Sequence, residues 1–216
     1  MTRYGIIKLM KKLIQLTIYI LVAIVLSFYI FPYLPKPKQP KPTCEIVNDK
    51  KHIYKNQCLP DNYEPQVLTE LSRRASYLTT YQYLDIRAKI AVEKLIDDAE
   101  KDGMCLIVMS SYRSYDDQAK LIEHRNPDIL DEIAPVGRSE HHTGLAVDFG
   151  GCPMSDGERD DSVERLELKK DFKELAEYQW LLENADDYGF EQSYREDNKE
   201  LTGYPNEPWH WKMIVR

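Results

Sequence analysis

The first 42 residues contain no aspartate or glutamate, no C-x-x-C pair occurs anywhere, and no segment repeats at a fixed period. Each absence excludes something. The N-terminal stretch carries only positive charge, from Arg3, Lys8, Lys11, Lys12, Lys36, Lys38 and Lys41; taking these seven from a chain total of −7 leaves −14 on residues 43–216. A body this acidic argues against nucleic acid as a partner, because phosphate binding rests on Lys and Arg. Without a C-x-x-C the four cysteines do not read as a cysteine zinc site. Without repeats, 216 residues amount to one folded domain plus appendages.

Charge of either sign is also missing from Leu13 to Phe31, an almost wholly apolar run of 19 residues. As a helix it covers about 28 Å, close to a hydrocarbon core of about 30 Å. The run ends in Phe28-Tyr29-Ile30-Phe31-Pro32-Tyr33 and lacks the small-residue cleavage site of a secretory signal. The expectation is an uncleaved transmembrane signal anchor over 13–31, with 1–12 cytoplasmic and the bulk of the chain translocated. Residues 32–43 follow as a linker whose five prolines alternate with lysine, a semi-rigid polyproline spacer. Residues 44–216 form the extracellular domain of a single-pass protein of the cell membrane. Cys44, Cys58, Cys105 and Cys152 suit that compartment. Of three possible pairings, Cys44–Cys58 with Cys105–Cys152 is preferred, because the second would join the ends of two neighbouring strands.

Within the domain, apolar periodicity predicts a helix over Tyr83–Lys101 stopped by Gly103. Met104–Met109 reads as a buried strand, and Ser114 as the cap of a helix reaching about Arg125. Thr143–Phe149 reads as a second strand, Leu168–Tyr188 as a long helix ended by Gly189, and Trp209–Val215 as a closing strand. The charged stretch Asp156–Lys170 reads as a surface loop. Few, short strands among helices indicate a small α+β domain rather than a doubly wound sheet.

The chemistry concentrates in Ser139-Glu140-His141-His142-Thr143-Gly144-Leu145-Ala146-Val147-Asp148 and in Glu207-Pro208-Trp209-His210. These supply two imidazoles and a carboxylate able to hold one Zn²⁺ ion, and a further carboxylate three residues before the last ligand. Three protein ligands leave a fourth position open, which separates a catalytic zinc from a structural one. A carboxylate beside such a position is what amide hydrolysis needs as general base. Gly144 permits a tight turn between His141 and the strand carrying Asp148.

Ser139-x-His141-x-x-Gly144-x-Ala146-x-Asp148 followed by Glu207-x-x-His210 resembles the zinc D-Ala-D-Ala carboxypeptidases of the VanY type, whose relatives include VanX-like dipeptidases and L,D-carboxypeptidases. Cys58-Leu59-Pro60-Asp61-Asn62-Tyr63-Glu64-Pro65, Ser111-Tyr112-Arg113-Ser114, and Trp180-Leu181-Leu182-Glu183-Asn184-Ala185 with Tyr188-Gly189-Phe190 extend the resemblance over roughly residues 56–214. It implies a zinc-peptidase fold, a small antiparallel sheet with flanking helices, of the type also found in the Hedgehog signalling domain. It implies His141, Asp148 and His210 as zinc ligands, Glu207 as catalytic base and Arg113 as the cation that stabilises the oxyanion. Ser139 and Gln118 match positions that hydrogen-bond the substrate peptide, and Trp209 would wall the cleft. Adjacent extended residues point opposite ways, so His142 is not a second ligand but a support or a cleft residue. His52 and His124 match nothing and read as surface residues.

The resulting expectation is a monomeric, membrane-anchored carboxypeptidase that removes the C-terminal D-Ala from peptidoglycan stem peptides. An L,D-carboxypeptidase or endopeptidase with the same zinc chemistry is the nearest rival. A non-catalytic zinc-containing binding module is the rival of another class; Glu207 and Arg113, which such a module need not keep, argue against it.

Overall fold

A computed structural model describes residues 3–25, 44–61, 63–76, 81–125, 132–152, 154–155, 158–159 and 172–215. The chain divides into two units, Met1–Thr43 and Cys44–Arg216. In the first, α1 (Arg3–Val25) leaves its apolar side chains exposed from Met10 to Val25. Among the described residues no helix is long and apolar enough to cross a membrane. Residues 26–31 of the expected span and the whole Pro/Lys linker lie outside them.

The second unit runs β1 (Glu45–Ile46), β2 (Gln57–Cys58), β3 (Leu68–Glu70), β4 (Tyr83–Asp85), α2 (Ile86–Lys101), β5 (Leu106–Ser110), α3 (Tyr115–Glu123), β6 (Ala146–Gly151), β7 (Met154–Ser155), β8 (Glu158–Arg159), α4 (Ala176–Asn184), β9 (Phe190–Gln192) and β10 (His210–Met213). Its centre is a four-stranded antiparallel sheet in the order β5-β6-β10-β9. The expected α+β class with a small antiparallel sheet holds. The closing strand β10 is internal, inserted between β6 and β9.

Several boundaries differ from expectation. Tyr83–Asp85 does not start the helix but pairs with Leu68–Glu70, and Asp85 then caps α2 by accepting from the Arg87 N–H. Ser114 caps α3 as expected, accepting from the Asp117 N–H, but the helix ends at Glu123. The single long helix ending at Tyr188 is instead a 3-10 turn Phe172–Glu174, then α4, then a second 3-10 turn Ala185–Tyr188; residues 168–171 lie outside the described residues. The Asp156–Lys170 loop also lies outside them, apart from β8.

Strand alternation divides the sheet into two faces. Leu106 and Val108 of β5, Val147 and Phe149 of β6, Phe190 of β9 and Trp211 of β10 join Ala88, Val92, Leu95 and Ala99 of α2 in the hydrophobic core. The intervening residues Asp148, His210 and Lys212 therefore share the opposite face. Both preferred disulfides are formed, Cys44–Cys58 and Cys105–Cys152; the second joins the start of β5 to the end of β6, where the Cys152 N–H also donates to the Cys105 carbonyl at 2.9 Å.

Candidate metal centre and active site

Antiparallel register places His210 directly opposite Asp148. Cross-strand partners have Cβ atoms about 5 Å apart, so two residues 62 apart in sequence become neighbours through strand pairing alone. His141 arrives differently. A 3-10 turn, Glu140–Thr143, precedes β6; Ser139 caps it by accepting from the His141 N–H at 3.3 Å, and Gly144 ends it in the left-handed region. A bulge between Val108 and Ser110 puts Ser110 opposite Asp148 and turns the following backbone toward the site. The Ser111 carbonyl there accepts from His141 Nδ1 at 2.8 Å.

One donor atom from each of His141, Asp148 and His210 lies within 4.8 Å of the others, and all three residues are buried. His141 Nε2 is 3.3 Å and His210 Nδ1 2.9 Å from Asp148 Oδ1. Zinc bonds of about 2.0–2.2 Å in tetrahedral array need donor separations of roughly 3.3–3.6 Å, so the set fits after small adjustment. Protonation fits as well. His141 spends its Nδ1–H on the Ser111 carbonyl, which leaves a lone pair on Nε2, and burial pulls its pKa down to about 4 against the opposing pull of Asp148. Burial also works to lower the His210 pKa, but the flanking Asp148 and Glu140 carboxylates outweigh it and raise the value to about 10. Two carboxylates around two imidazoles thus call for a cation, and a metal ion takes the place that a proton otherwise fills.

All eight residues singled out in the sequence border one cavity of about 240 Å³. Arg113 is held by two side chains: Nη1 donates to Gln118 Oε1 at 2.9 Å and Nη2 to Ser110 Oγ at 3.0 Å. Gln118 is buried, and its Nε2 donates to the Ala134 carbonyl at 2.6 Å. Its amide therefore anchors Arg113 to the cavity wall. Glu207 is half-buried on the same cavity; its N–H donates to the Tyr194 carbonyl and its carbonyl accepts from the His210 N–H, so the Glu-x-x-His turn fixes the positions of Glu207 and His210 together. Trp209 is half-buried between the cavity and the core.

His142 is not a metal ligand. Its Nε2 accepts from the Gly137 N–H at 3.1 Å and its Nδ1 donates to the Arg113 carbonyl at 2.7 Å. Both ring nitrogens are thus committed to backbone, and burial holds its pKa near 4, keeping it neutral. Its role is to brace the Arg113 backbone. His52 corrects the surface expectation: its side chain is only 16% exposed and Nδ1 lies 3.3 Å from Glu140. His124 does stand exposed, at the end of α3.

Sequence reasoning missed Glu140, which is 1% exposed and faces His210 Nε2 at 2.9 Å. Burial alone would raise its pKa, but the Lys212 ammonium and the bonds from His210 and His52 hold it well below the ordinary carboxyl range. An acid wedged between the motif serine and two histidines was the available signal. Tyr194 was missed too. Its ring stacks on His210 at 5.0 Å, and burial, then the Glu140 and Glu207 charges, push its hydroxyl pKa far up.

Residues 81–215 match the family profile described as VanY: D-alanyl-D-alanine carboxypeptidase. The putative carboxypeptidase YodJ of Bacillus subtilis is 32% identical over 169 residues, 75% of this chain and 58% of that protein. Among solved structures, the LdcB LD-carboxypeptidase aligns with a TM-score of 0.62 at 31% identity, covering 75% of this chain and 74% of that one. A mutant of the vancomycin resistance D,D-pentapeptidase VanY, in complex with Zn(II), aligns with a TM-score of 0.58 at 25% identity, covering 77% and 88%. The chain spans about half the length of the first curated relatives it matches. With the profile matched over more than half of its residues, this chain belongs to the VanY D-alanyl-D-alanine carboxypeptidase family.

Proposed function

We propose that the chain is a zinc-dependent D-alanyl-D-alanine carboxypeptidase that removes the C-terminal D-Ala from peptidoglycan stem peptides. The observation that carries this reading is the convergence of His141, Asp148 and His210 on one cavity that Arg113 and Glu207 also border. His141, Asp148 and His210 would hold a single zinc ion, which when bound polarises the scissile carbonyl and acidifies the attacking water. Glu207 accepts the proton of that water and delivers it to the departing D-alanine amine. Arg113, pre-aimed by Gln118 and Ser110, meets the negative charge that develops on the carbonyl oxygen, and such a fixed donor contributes on the order of 3–4 kcal/mol. Ser139 and Trp209, on the wall beside the ligands, bound the space for the peptide.

Glu207→Ala is expected to bind zinc like the parent and to lose turnover on a D-Ala-D-Ala-terminated pentapeptide by several orders of magnitude. Undiminished turnover would move the base role elsewhere. The likeness to LdcB supports a second reading with the same residues, an L,D-carboxypeptidase acting on tetrapeptide stems. Mass spectrometry of products from tetra- and pentapeptide stems separates the two, since each cut releases D-Ala from a different parent.

The location belongs to the same proposal: an anchor over 13–31, a spacer over 32–43 and a monomeric domain outside the cell, close to newly exported wall precursor. The uncharged run of 19 residues, the exposed apolar side chains of α1 and the two disulfides support it. Protease accessibility on intact cells tests it; a domain protected until lysis would refute it.

A further inference from the structure

Glu140 gathers four donors. Its Oε1 accepts from the Ile53 N–H at 2.7 Å and lies 3.3 Å from His52 Nδ1. Its Oε2 accepts from the Ser193 hydroxyl at 2.5 Å and lies 2.9 Å from His210 Nε2. Two of these donors come from consecutive residues of one short segment, closed at its ends by the Cys44–Cys58 disulfide. That segment reaches further. The Lys51 carbonyl accepts from the ammonium of Lys212, a wholly buried side chain on the His210 face of β10. The Ile53 carbonyl accepts from the hydroxyl of Tyr194, the ring that stacks on His210. Residues 51–53 thus hold three side chains, Glu140, Tyr194 and Lys212, that build the surroundings of one metal ligand. The family profile begins only at residue 81.

A carboxylate accepts and never donates. Glu140 therefore obliges His210 to keep a proton on Nε2, so Nδ1, which shares its proton with Asp148 at 2.9 Å, is the nitrogen left to exchange that proton for a metal ion. Carboxylates behind metal-binding histidines set tautomer and ring direction in this way. We propose that the disulfide-closed segment Cys44–Cys58 is a working part of the metal centre, acting through Glu140 as a positioning residue that orients His210 and so sets the affinity for zinc. The inference rests on the zinc reading above and extends the centre to a part of the chain outside the matched family region.

The test titrates zinc into the full chain against a chromophoric competitor and records the visible spectrum of the cobalt(II)-substituted protein. Glu140→Gln places an amide N–H against either the Ile53 N–H or His210, whichever way it turns. Its zinc dissociation constant is expected to rise about 10–100-fold, with shifted cobalt bands. Cys44→Ser/Cys58→Ser leaves every group around His210 in place but unties the support, and an increase of roughly 10-fold is expected. Unchanged zinc affinity in the double cysteine variant overturns the inference, as does a loss of melting temperature that is equal with and without chelator while affinity and spectrum stay fixed. His210→Ala separates the two readings. If it keeps zinc, the metal assignment falls and this inference with it; if it loses zinc while the cysteine variant does not, only the inference falls.

Should Glu140→Gln not fold, the unsubstituted protein decides. In glutathione buffers two reduced glutathiones become glutathione disulfide as Cys44–Cys58 becomes two thiols. By reciprocity of coupled equilibria, bound zinc is expected to raise the glutathione ratio needed for half-reduction by the same factor of roughly 10 or more. An identical ratio with and without zinc refutes the coupling.

Discussion

Replacing Gly144 by alanine adds one methyl group at the hinge between His141 and the strand that carries Asp148. Gly144 has φ +67°, a left-handed conformation that costs an L-residue about 1–2 kcal/mol. The added carbon would also stand 3.0 Å from the Asp85 backbone nitrogen and 3.0 Å from Leu68 Cδ2, inside normal contact distance. Relief is restricted, because that same Asp85 N–H donates to the Gly144 carbonyl at 2.9 Å and Asp85 caps α2. Forcing a methyl into such a site costs about 1–3 kcal/mol. Together the effects amount to about 2–5 kcal/mol, and at roughly 2–4 °C per kcal/mol for a domain of this size the melting temperature should fall by roughly 4–20 °C. Differential scanning calorimetry of the chelated protein reads the stability part, and zinc titration reads the displacement of His141. A melting temperature within 1 °C or so of the parent, with zinc affinity retained, would refute the argument that this hinge requires glycine.

Gln118→Leu keeps volume but removes one anchor of Arg113, so kcat should fall roughly 10²-fold, the scale of a misplaced catalytic group, with zinc affinity unchanged; an unaffected kcat would show that Ser110 suffices. His142→Leu removes both backbone partners of a buried ring and should cost about 2–4 kcal/mol by urea denaturation. His142→Gln, able to accept from Gly137 and donate to Arg113, should cost less than half of that, and both variants should still bind zinc. Loss of zinc in the glutamine variant would mean that His142 is a ligand after all. Asp85→Ala should cost about 1 kcal/mol through the lost cap, the half-exposed Arg87 pair adding little. Burial works to raise the Asp85 pKa, but the Arg87 bonds win and hold it below 3.8. A depressed carboxyl pKa stabilises above its unfolded value, so the gap between parent and variant is full above pH 4 and shrinks as pH falls below 3.8; a gap that widens in acid would refute the assignment.

The sequence alone offered the candidate ligands, base and arginine through their motifs and indicated the α+β class; among three open cysteine pairings it favoured the one that formed. These were legible because they are local: a histidine, a glycine and an aspartate at fixed offsets across one turn and strand, a Glu-x-x-His turn, and short apolar runs of strand length. The exclusion of His142 as a second ligand holds for a reason other than extended alternation: both histidines sit in a 3-10 turn, and the His142 ring nitrogens are taken by the Gly137 N–H and the Arg113 carbonyl. Tertiary structure decided what depends on pairing between distant segments. Tyr83–Asp85 became a strand because Leu68–Glu70 offered it an edge, overriding helical periodicity. Trp209–Val215 looked terminal in sequence yet its core, His210–Met213, is central in the sheet, and that register is what sets His210 against Asp148. Glu140 and His52, 88 residues apart, carry no shared pattern, and only folding shows a buried carboxylate collecting donors from a disulfide loop. A carboxylate sealed from water must find its hydrogen bonds wherever the chain brings them, so its partners are written in the packing and not in the spacing of residues.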